Sequence, residues 1–243
     1  MKNINYENLK SDEHVCHSWS ILDFKIDDYY EYISNNLLLN LISTIIILPV
    51  ALILYIFDKI FLGFKIENKE NIIRDSGFVS VSNHIHYLDC TFIGLINMPA
   101  RVYYPTIQDN FKIPFVRHLI KVLYAIPIPK EKKHKEKFYK EINEVLQKGK
   151  ILHMYPEGSL WPYYENIREF KYGAFKMAVE ANVPIQPIKF TFKESKGIQK
   201  FYKKKKCIHA KVLKPIYPDN SLDYKDRIEA LRSAAYQSIL KGE

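Results

Sequence analysis

The stretch from residue 78 to residue 90, FVSVSNHIHYLDC, places two histidines and an aspartate directly after an apolar run. The run at residues 78–81 is typical of a β-strand. Histidine can accept a proton near neutral pH, and a neighbouring carboxylate can fix its tautomer. His86 and Asp89, three residues apart, fit one helix face, whereas His84 and Asp89, five apart, would meet only through the turn before a helix. The spacing leaves both histidines open as a base.

Short apolar runs alternate with amphipathic stretches through the rest of the chain. The predicted strands are residues 78–81, 102–104, 123–128, 151–154, 185–190 and 208–212. Between them, apolar residues at helical spacing predict helices around residues 138–146 and 170–181. Helices interleaved with strands predict an α/β fold with a mixed, largely parallel sheet flanked by helices.

A second polar stretch, MYPEGS at residues 154–159, accompanies the end of the fourth predicted strand. In α/β folds the usual place for a site is the carboxyl end of the strands, where the chain turns into a helix. We therefore expect this stretch and the histidine-containing one to line one crevice, although about seventy residues separate them.

Residues 36–57 contain no charged side chain and are long enough, as a helix, to reach across a hydrocarbon core of about 30 Å. Pro49 interrupts the helical hydrogen bonding, so the alternatives are a kinked transmembrane helix, a helical pair dipping into one leaflet, or a buried core helix. Acidic residues precede the segment and basic residues follow it, which favours a cytoplasmic C-terminal domain if the segment spans. We divide the chain into a membrane-associated helical region, residues 1–65, and a catalytic domain, residues 66–243.

The net charge of +9 and the pI near 9.2 indicate an acidic partner, such as an anionic membrane surface. Lysines concentrate at residues 130–140 and 193–206, where they form either a solvated face or a docking surface. The chain has no recognisable RNA- or DNA-binding pattern, so no nucleic-acid partner is expected. The three scattered cysteines, Cys16, Cys90 and Cys207, are typical of a reducing compartment.

Other chemistries compete for the histidine-containing stretch. A metal site made of His84, His86 and Asp89 would need further ligands, and the HxHxDH pattern of metallohydrolases is not met. A serine nucleophile would need a GxSxG elbow, and none surrounds Ser159 or the serines of the first strand. In a purely structural interpretation, the histidine and the aspartate cap a helix.

Five blocks in order resemble the glycerolipid acyltransferases of the lysophosphatidic acid acyltransferase type. NHIHYLD at residues 83–89 matches the NHxxxxD pattern of that family, and AIPIPK at 125–130 is similar to its second block. YPEGS at 155–159 resembles FPEGT, FKYGAFKMA at 170–178 resembles the FKxGAxxxA helix, and VPIQPI at 183–188 resembles the VPIxPV strand. The resemblance covers about residues 75–190.

This resemblance implies an O-acyltransferase that uses no metal or other cofactor. His84 would be the general base and Asp89 would orient it, and the acyl donor would be a thioester of acyl carrier protein or coenzyme A. Asn83 would brace the histidine turn, Glu157 would organise the second loop, and backbone amides near Gly158 would hold an oxyanion or the anionic group of the acceptor. Ser159 would line the same site.

Departures from the family pattern concern the acceptor. Leu160 and Trp161 stand where the family usually has a charged clamp for a phosphate, and Lys130 stands where Arg is usual. Arg168 and Lys171 could bind the phosphate instead. We expect a lysophospholipid acceptor such as 1-acylglycerol-3-phosphate, with another lipid or glycolipid hydroxyl, a membrane-bound metallohydrolase and a non-catalytic lipid-binding module as alternatives. The expected location is a bacterial inner or plasma membrane, with the catalytic domain cytoplasmic.

Overall fold

The structure is a computed structural model that describes residues 6–10, 13, 15, 22–34, 36–197, 199–202 and 206–243. Cys16 and part of the second lysine run, residues 203–205, lie outside these described residues. Cys90 and Cys207 are free thiols.

Seven strands form one sheet in the order β1-β7-β6-β2-β5-β3-β4. Their bounds are β1 Lys65–Glu67, β2 Phe78–Ser82, β3 Val102–Ile107, β4 Ala125–Ile128, β5 Ile151–Met154, β6 Ile185–Lys193 and β7 Cys207–Val212. Every neighbouring pair is parallel except β6 and β7, which are antiparallel. This arrangement confirms the predicted mixed, largely parallel sheet.

Helices cover both faces of the sheet. Their bounds are α1 Leu37–Phe61, α2 Asp89–Asn97, α3 Val116–Val122, α4 Lys132–Gln147, α5 Gly173–Ala181, α6 Gln199–Tyr202 and α7 Tyr224–Lys241. Strand β2 shows why two layers form: Val79 and Val81 join the hydrophobic cluster under α4, α5 and α7, whereas Phe78 joins the cluster under α2. Successive strand residues point to opposite faces, so a fully buried strand is apolar on both sides.

Helix α1 packs along α2 and is fastened near both of its ends. Arg101 donates a hydrogen bond to the carbonyl of Asn40 at 3.1 Å, and the Thr91 hydroxyl donates to Oδ2 of the buried Asp58 at 3.3 Å. The side of the helix away from α2 exposes a continuous set of leucine and isoleucine side chains. Among the described residues, this is the one helix long and apolar enough to cross a membrane. It continues through Pro49 as a single element, which differs from the helical pair that was one expectation.

The segment before α1, residues 22–34, packs on the domain in an extended conformation. We call it the N-terminal arm. One carboxylate oxygen of Glu141, on α4, accepts hydrogen bonds from the backbone amides of Tyr32 and Ile33, each at 3.0 Å. The buried ring of Tyr32 packs edge-on against Phe138 at 5.2 Å between centroids. The predicted division into residues 1–65 and 66–243 stays a prediction.

Replacing Glu141 by alanine should release the N-terminal arm from α4. Two partly buried amides lose their acceptor, and each unsatisfied group costs about 1–3 kcal/mol. Hydrogen exchange should therefore become faster at Tyr32 and Ile33, while the exchange of β2 and β5 stays unchanged. The control is Glu144→Ala on the exposed side of the same helix. Equal exchange in the two variants would show that Glu141 does not hold the arm.

Candidate active site

The two polar stretches identified in the sequence meet at the carboxyl edge of the sheet. Strands β2 and β5 are hydrogen-bonded neighbours in parallel register, with Val81 opposite Met154. Both chains therefore leave the sheet side by side, one into the loop at residues 83–88 and the other into the loop that begins at Tyr155. The predicted crevice forms here.

His84 and Asp89 are joined by the turn between β2 and α2. Nδ1 of His84 lies 2.8 Å from Oδ2 of Asp89. The same carboxylate oxygen accepts the backbone amides of Ile85 at 2.7 Å and His86 at 2.9 Å. Asp89 is completely buried in the first turn of α2, where the helix dipole stabilises a negative charge. The carboxylate thus fixes both the loop and the Nδ1 edge of the imidazole.

The ring of His84 stacks on the ring of Tyr155, with centroids 3.8 Å apart and planes 10° from parallel. Behind Tyr155 lies His153, whose buried ring contacts the hydroxyls of Ser80 at 3.0 Å and Ser82 at 3.4 Å. Burial lowers the pKa of His153 well below its usual value, so this imidazole is neutral at neutral pH. The site therefore contains one partly exposed histidine, His84, and one neutral, buried histidine, His153, and the Tyr155 ring contacts both.

His86 faces away from the His84–Asp89 pair. Its ring stacks on Phe92 at 5.6 Å and meets the ring of Tyr163 edge-on at 5.6 Å, while its Nδ1 accepts the amide of Leu88 at 3.2 Å. In the part of the chain that the structure describes, no three His, Cys, Asp or Glu side chains are grouped so that they could hold a metal ion. The geometry places the His86 ring in the packing of the loop.

Asn83 ties the start of the histidine loop to β6. Its side-chain amide donates to the carbonyl of Phe190 at 3.0 Å and its oxygen accepts the Phe190 amide at 2.8 Å. The side chain is buried and imitates one more residue of the parallel β2–β6 ladder. It thereby fixes the backbone from which His84 projects.

Glu157 and Arg168 form a buried ion pair inside the loop that begins at Tyr155, which we call the second loop. Nη2 of Arg168 lies 2.7 Å from Oε2 of Glu157, and the Arg168 amide donates to Oε1 at 3.0 Å. Oε2 also accepts the amide of His84 at 3.2 Å, which links the two loops. Burial raises the pKa of Glu157, and the positive charge of Arg168 opposes that rise.

Arg168 makes further contacts within the same loop. Its guanidinium donates to the hydroxyl of Ser159 at 2.7 Å and to the Ser159 carbonyl, and it lies over the Trp161 ring at 4.4 Å. Only 5% of Arg168 is exposed. The side chain organises the loop from inside, and its predicted contact with an acceptor phosphate stays a prediction.

Trp161 is the buried centre of an aromatic cluster. Its ring stacks on Tyr6 at 5.1 Å and meets Tyr164 edge-on at 5.0 Å, and its indole N–H donates to the carbonyl of Glu13 at 2.9 Å. The Trp161 amide donates to the carbonyl of His84 at 3.2 Å. Trp161 therefore stabilises the histidine loop.

Lys171 and Lys130 lie at different places around the loops. The Lys171 side chain lies against the exposed Gly158, where an added Cβ would approach Cε and Nζ of Lys171 to 2.9 Å. The Gly158 amide donates to the Tyr155 carbonyl at 3.0 Å, so this N–H is engaged within the loop. Lys130 contacts Asp109 at 3.1 Å, and the ammonium groups of Lys112 and then Lys130 lower the pKa of Asp109.

A cavity of about 480 Å³ opens beside His84 and runs between α1, α2 and α3. One wall is the inner side of α1, from Thr44 to Leu54, which spans about 15 Å at the rise of an α-helix. His84 and Tyr155 line one end, at the carboxyl edge of the sheet, and Arg101 lies near the amino edge, just before β3. Most of the lining is aliphatic, so the cavity suits an elongated apolar group.

Several features of this site could not be identified from the sequence. The pattern YPEGS marks the loop but gives no sign that the Tyr155 ring stacks on His84. Residues 36–57 read as a lipid-facing segment, and their second role as a cavity wall appears only in the packing. The alternation that predicted β2 and β5 did correctly place the two loops at one edge.

Removing the positive charge of the buried ion pair should destabilise the domain. Arg168→Ala leaves the Glu157 carboxylate without its partner, which typically costs about 3–5 kcal/mol. Because the pKa of Glu157 is already raised by burial, the loss should grow as pH rises above the ordinary range of a glutamate. Chemical unfolding in detergent at pH 5 and pH 8 measures both effects.

The control for that measurement is Lys133→Ala. Lys133 pairs with Asp28 at 3.2 Å, but both side chains are exposed, and exposed pairs contribute about 0–1 kcal/mol. A similar small loss in both variants would contradict the structural role assigned to Arg168. A second test is Glu157→Gln in the Arg168→Ala background, which should restore part of the stability.

Comparisons with known proteins agree with this geometry. Residues 63–191, about half of the chain, match the model of the family described as Acyltransferase. A 1-acyl-sn-glycerol-3-phosphate acyltransferase of Bacillus subtilis is 27% identical over 180 residues, which are 73% of this chain and 86% of that protein. The crystal structure of a 1-acyl-sn-glycerophosphate acyltransferase from Thermotoga maritima superposes with a TM-score of 0.50 at 21% identity, covering 86% of this chain and 97% of that one.

The structural similarity confirms the predicted fold, and the family match confirms the resemblance found in the five sequence blocks. The family match also confirms the prediction that the chain is an O-acyltransferase. The chain belongs to the acyltransferase family.

Proposed function

We propose that this protein transfers an acyl group from a thioester of acyl carrier protein or coenzyme A to the free hydroxyl of 1-acylglycerol-3-phosphate. The observation that carries the proposal is the 2.8 Å contact between His84 Nδ1 and Asp89 Oδ2 at the opening of an elongated, largely apolar cavity. The names of the two relatives support the choice of acceptor.

In the proposed reaction His84 is the general base. Asp89 accepts a hydrogen bond from Nδ1–H of His84. Nε2 is then unprotonated, and its lone pair can accept the proton of the acceptor hydroxyl. As Nε2 takes the hydroxyl proton, the oxygen attacks the thioester carbonyl and forms a tetrahedral intermediate. The carbon–sulfur bond then breaks, and the imidazolium returns its proton to the departing thiolate. No covalent acyl-enzyme forms, so no serine or cysteine nucleophile is required.

The cavity beside His84 supports an assignment as the site of the donor's acyl chain. Its length, about 15 Å along α1, suits a chain that extends away from the reacting carbonyl. The largely aliphatic lining would bury the chain, and each CH₂ removed from water contributes about 0.8 kcal/mol. A chain bound in this way would bring its thioester to the His84 end.

The acceptor phosphate is assigned to the outer side of the second loop. Lys171 lies against Gly158 there, and the positive φ of 83° at Gly158 turns the backbone without a side chain in the way. Arg168 would support this site from inside the loop, where it holds the side chains of Ser159 and Glu157 in place. Because Leu160 and Trp161 have no charge, Lys171 is assigned as the main side chain that binds the phosphate.

Membrane attachment is assigned to the outer side of α1. Leu37, Leu41, Ile45, Leu52 and Ile53 expose at least half of their surface on a helix whose other side lines the cavity. A helix bound lengthwise to the domain in this way suits the membrane interface, with its apolar side among the lipid chains. The proposed location is the cytoplasmic face of a bacterial inner membrane. The lysines of α4 lie on the opposite face of the sheet from α1, so they are not part of this contact.

His84→Ala should abolish acyl transfer, whereas His86→Ala should leave much of it. General-base catalysis contributes about 10² to 10⁴ in rate, and the ring of His86 is engaged in packing. The assay uses radiolabelled acyl carrier protein and coenzyme A thioesters with lysophosphatidic acid, other lysolipids and glycolipid acceptors. Reversed behaviour of the two variants would overturn the assignment, and transfer to a glycolipid alone would overturn the proposed acceptor.

Filling the cavity should impair the use of long acyl chains more than short ones. Ala51→Phe places a ring in the cavity from α1, so the rate with sixteen-carbon donors should fall by about tenfold or more while short donors are less affected. The control is Leu52→Phe, the next residue on the exposed side of the helix. Equal losses for all chain lengths would argue against the cavity as the acyl site.

A further inference from the structure

The hydroxyl of Tyr155 is a buried donor without an acceptor in the described part of the chain. The ring that carries it stacks on His84 at 3.8 Å, and the residue lines the cavity at its reactive end. A buried hydroxyl without a hydrogen bond costs about 1–3 kcal/mol, so such groups are rare and usually meet a partner in the working protein.

Asp89 contains the complementary group. Its Oδ2 serves His84 and two backbone amides, whereas its Oδ1 is buried and has no donor among the residues described. A buried carboxylate oxygen without a donor is more costly than a neutral one because the charge is partly localised there. One donor and one acceptor are therefore both left unsatisfied next to His84.

Tyr155 and Asp89 both contact the imidazole of His84, Tyr155 through the ring stacked at 3.8 Å and Asp89 through the contact of 2.8 Å at Nδ1. After burial, the negative charge of Asp89 is the largest contribution that raises the pKa of Tyr155 well above its usual value, followed by Cys90 and Tyr104. The other nearby phenol does not compete, because the hydroxyl of Tyr104 donates to the Cys90 carbonyl at 2.9 Å. Tyr155 is thus a protonated donor beside the catalytic pair.

We propose that Tyr155 is a positioning residue of the catalytic pair: in the working enzyme a small movement of its side chain closes a hydrogen bond from its hydroxyl to Oδ1 of Asp89, two groups that have no partner in the described structure, while its ring holds the imidazole of His84 by stacking. The proposal rests on the assignment of His84 as the base and Asp89 as its partner. The carboxylate then has a donor on each oxygen, and the imidazole is held by one hydrogen bond at Nδ1 and by stacking on one face.

Two effects on catalysis follow from this arrangement. The imidazole has less freedom to rotate, so Nε2 points more constantly at the acceptor hydroxyl. The extra donor also draws negative charge away from Oδ2, so that the carboxylate holds a protonated imidazole less strongly. Removing the hydroxyl should therefore slow the chemical step and make protonation of the base easier.

The test is Tyr155→Phe in the full chain, which keeps the stacked ring. We expect kcat to fall by about tenfold, the equivalent of one hydrogen bond to a charged group, with the KM of both substrates nearly unchanged. The acidic limb of the pH profile of kcat/KM should move to higher pH. The control is Tyr224→Phe, which removes a tyrosine–carboxylate contact, 2.9 Å to Glu180, on the outer surface.

A double-mutant cycle with Asp89→Asn separates this role from a contact with substrate. If Tyr155 acts through Asp89, Tyr155→Phe should change kcat by less than about twofold in the Asp89→Asn background. A tenfold loss in both backgrounds, or a rise in the KM of the acyl donor with an unmoved acidic limb, would overturn the proposal. Unchanged activity and pH profile in Tyr155→Phe would also overturn it.

The wild-type protein and His84→Ala are assayed alongside these variants. If the wild type transfers an acyl group and His84→Ala does not, the proposed function stands, and the Tyr155 result then decides the inference alone. If His84→Ala retains transfer, the underlying assignment fails first. The thermal midpoint of Tyr155→Phe should lie close to that of the wild type, because the ring and its packing remain.

Discussion

The site depends on the carboxylate of Glu157, because it joins two loops that come from different strands. Oε2 accepts the backbone amide of His84 from the β2 side and the guanidinium of Arg168 from the β5 side, while Oε1 accepts the Arg168 amide. A buried carboxylate must keep its donors, so neither loop can shift without leaving a charge unpaired. The position of His84 is therefore set by a residue 73 positions away along the chain.

The sequence was sufficient for the features that depend on local periodicity. Short apolar runs located β2 and β5, and the tendency of parallel strands to present their carboxyl ends at one edge brought the two polar loops together. The choice between His84 and His86 needed more, since spacing alone left both open. The structure shows why: a non-helical turn, held by Asp89 and by the hydrogen bond of Asn83 to Phe190 of β6, directs the two rings to different surroundings.

Features that depend on distant contacts were beyond the sequence. Trp161 could be identified as a departure from a charged clamp, but its role depends on Tyr6 and Glu13, which lie about 150 residues earlier. The orientation of the Tyr155 ring likewise depends on how closely the two loops approach one another. In each case the sequence showed the residue type but not the residue that it contacts, because tertiary packing rather than local pattern selects that partner.

Helix α1 connects the proposed chemistry with the proposed membrane surface. The inner side of the helix, including Thr44 and Leu54, faces the cavity, and the outer side exposes aliphatic residues. Because the hydrogen bond of Arg101 near one end and that of Thr91 near the other hold α1 against the domain, both sides keep a fixed relation to His84. On this arrangement only the width of one helix separates the lipid that holds the acceptor from the cavity assigned to the acyl chain of the donor. A helix of about 10 Å diameter would then separate lipid from the reactive end, and little apolar surface would be exposed to water during transfer.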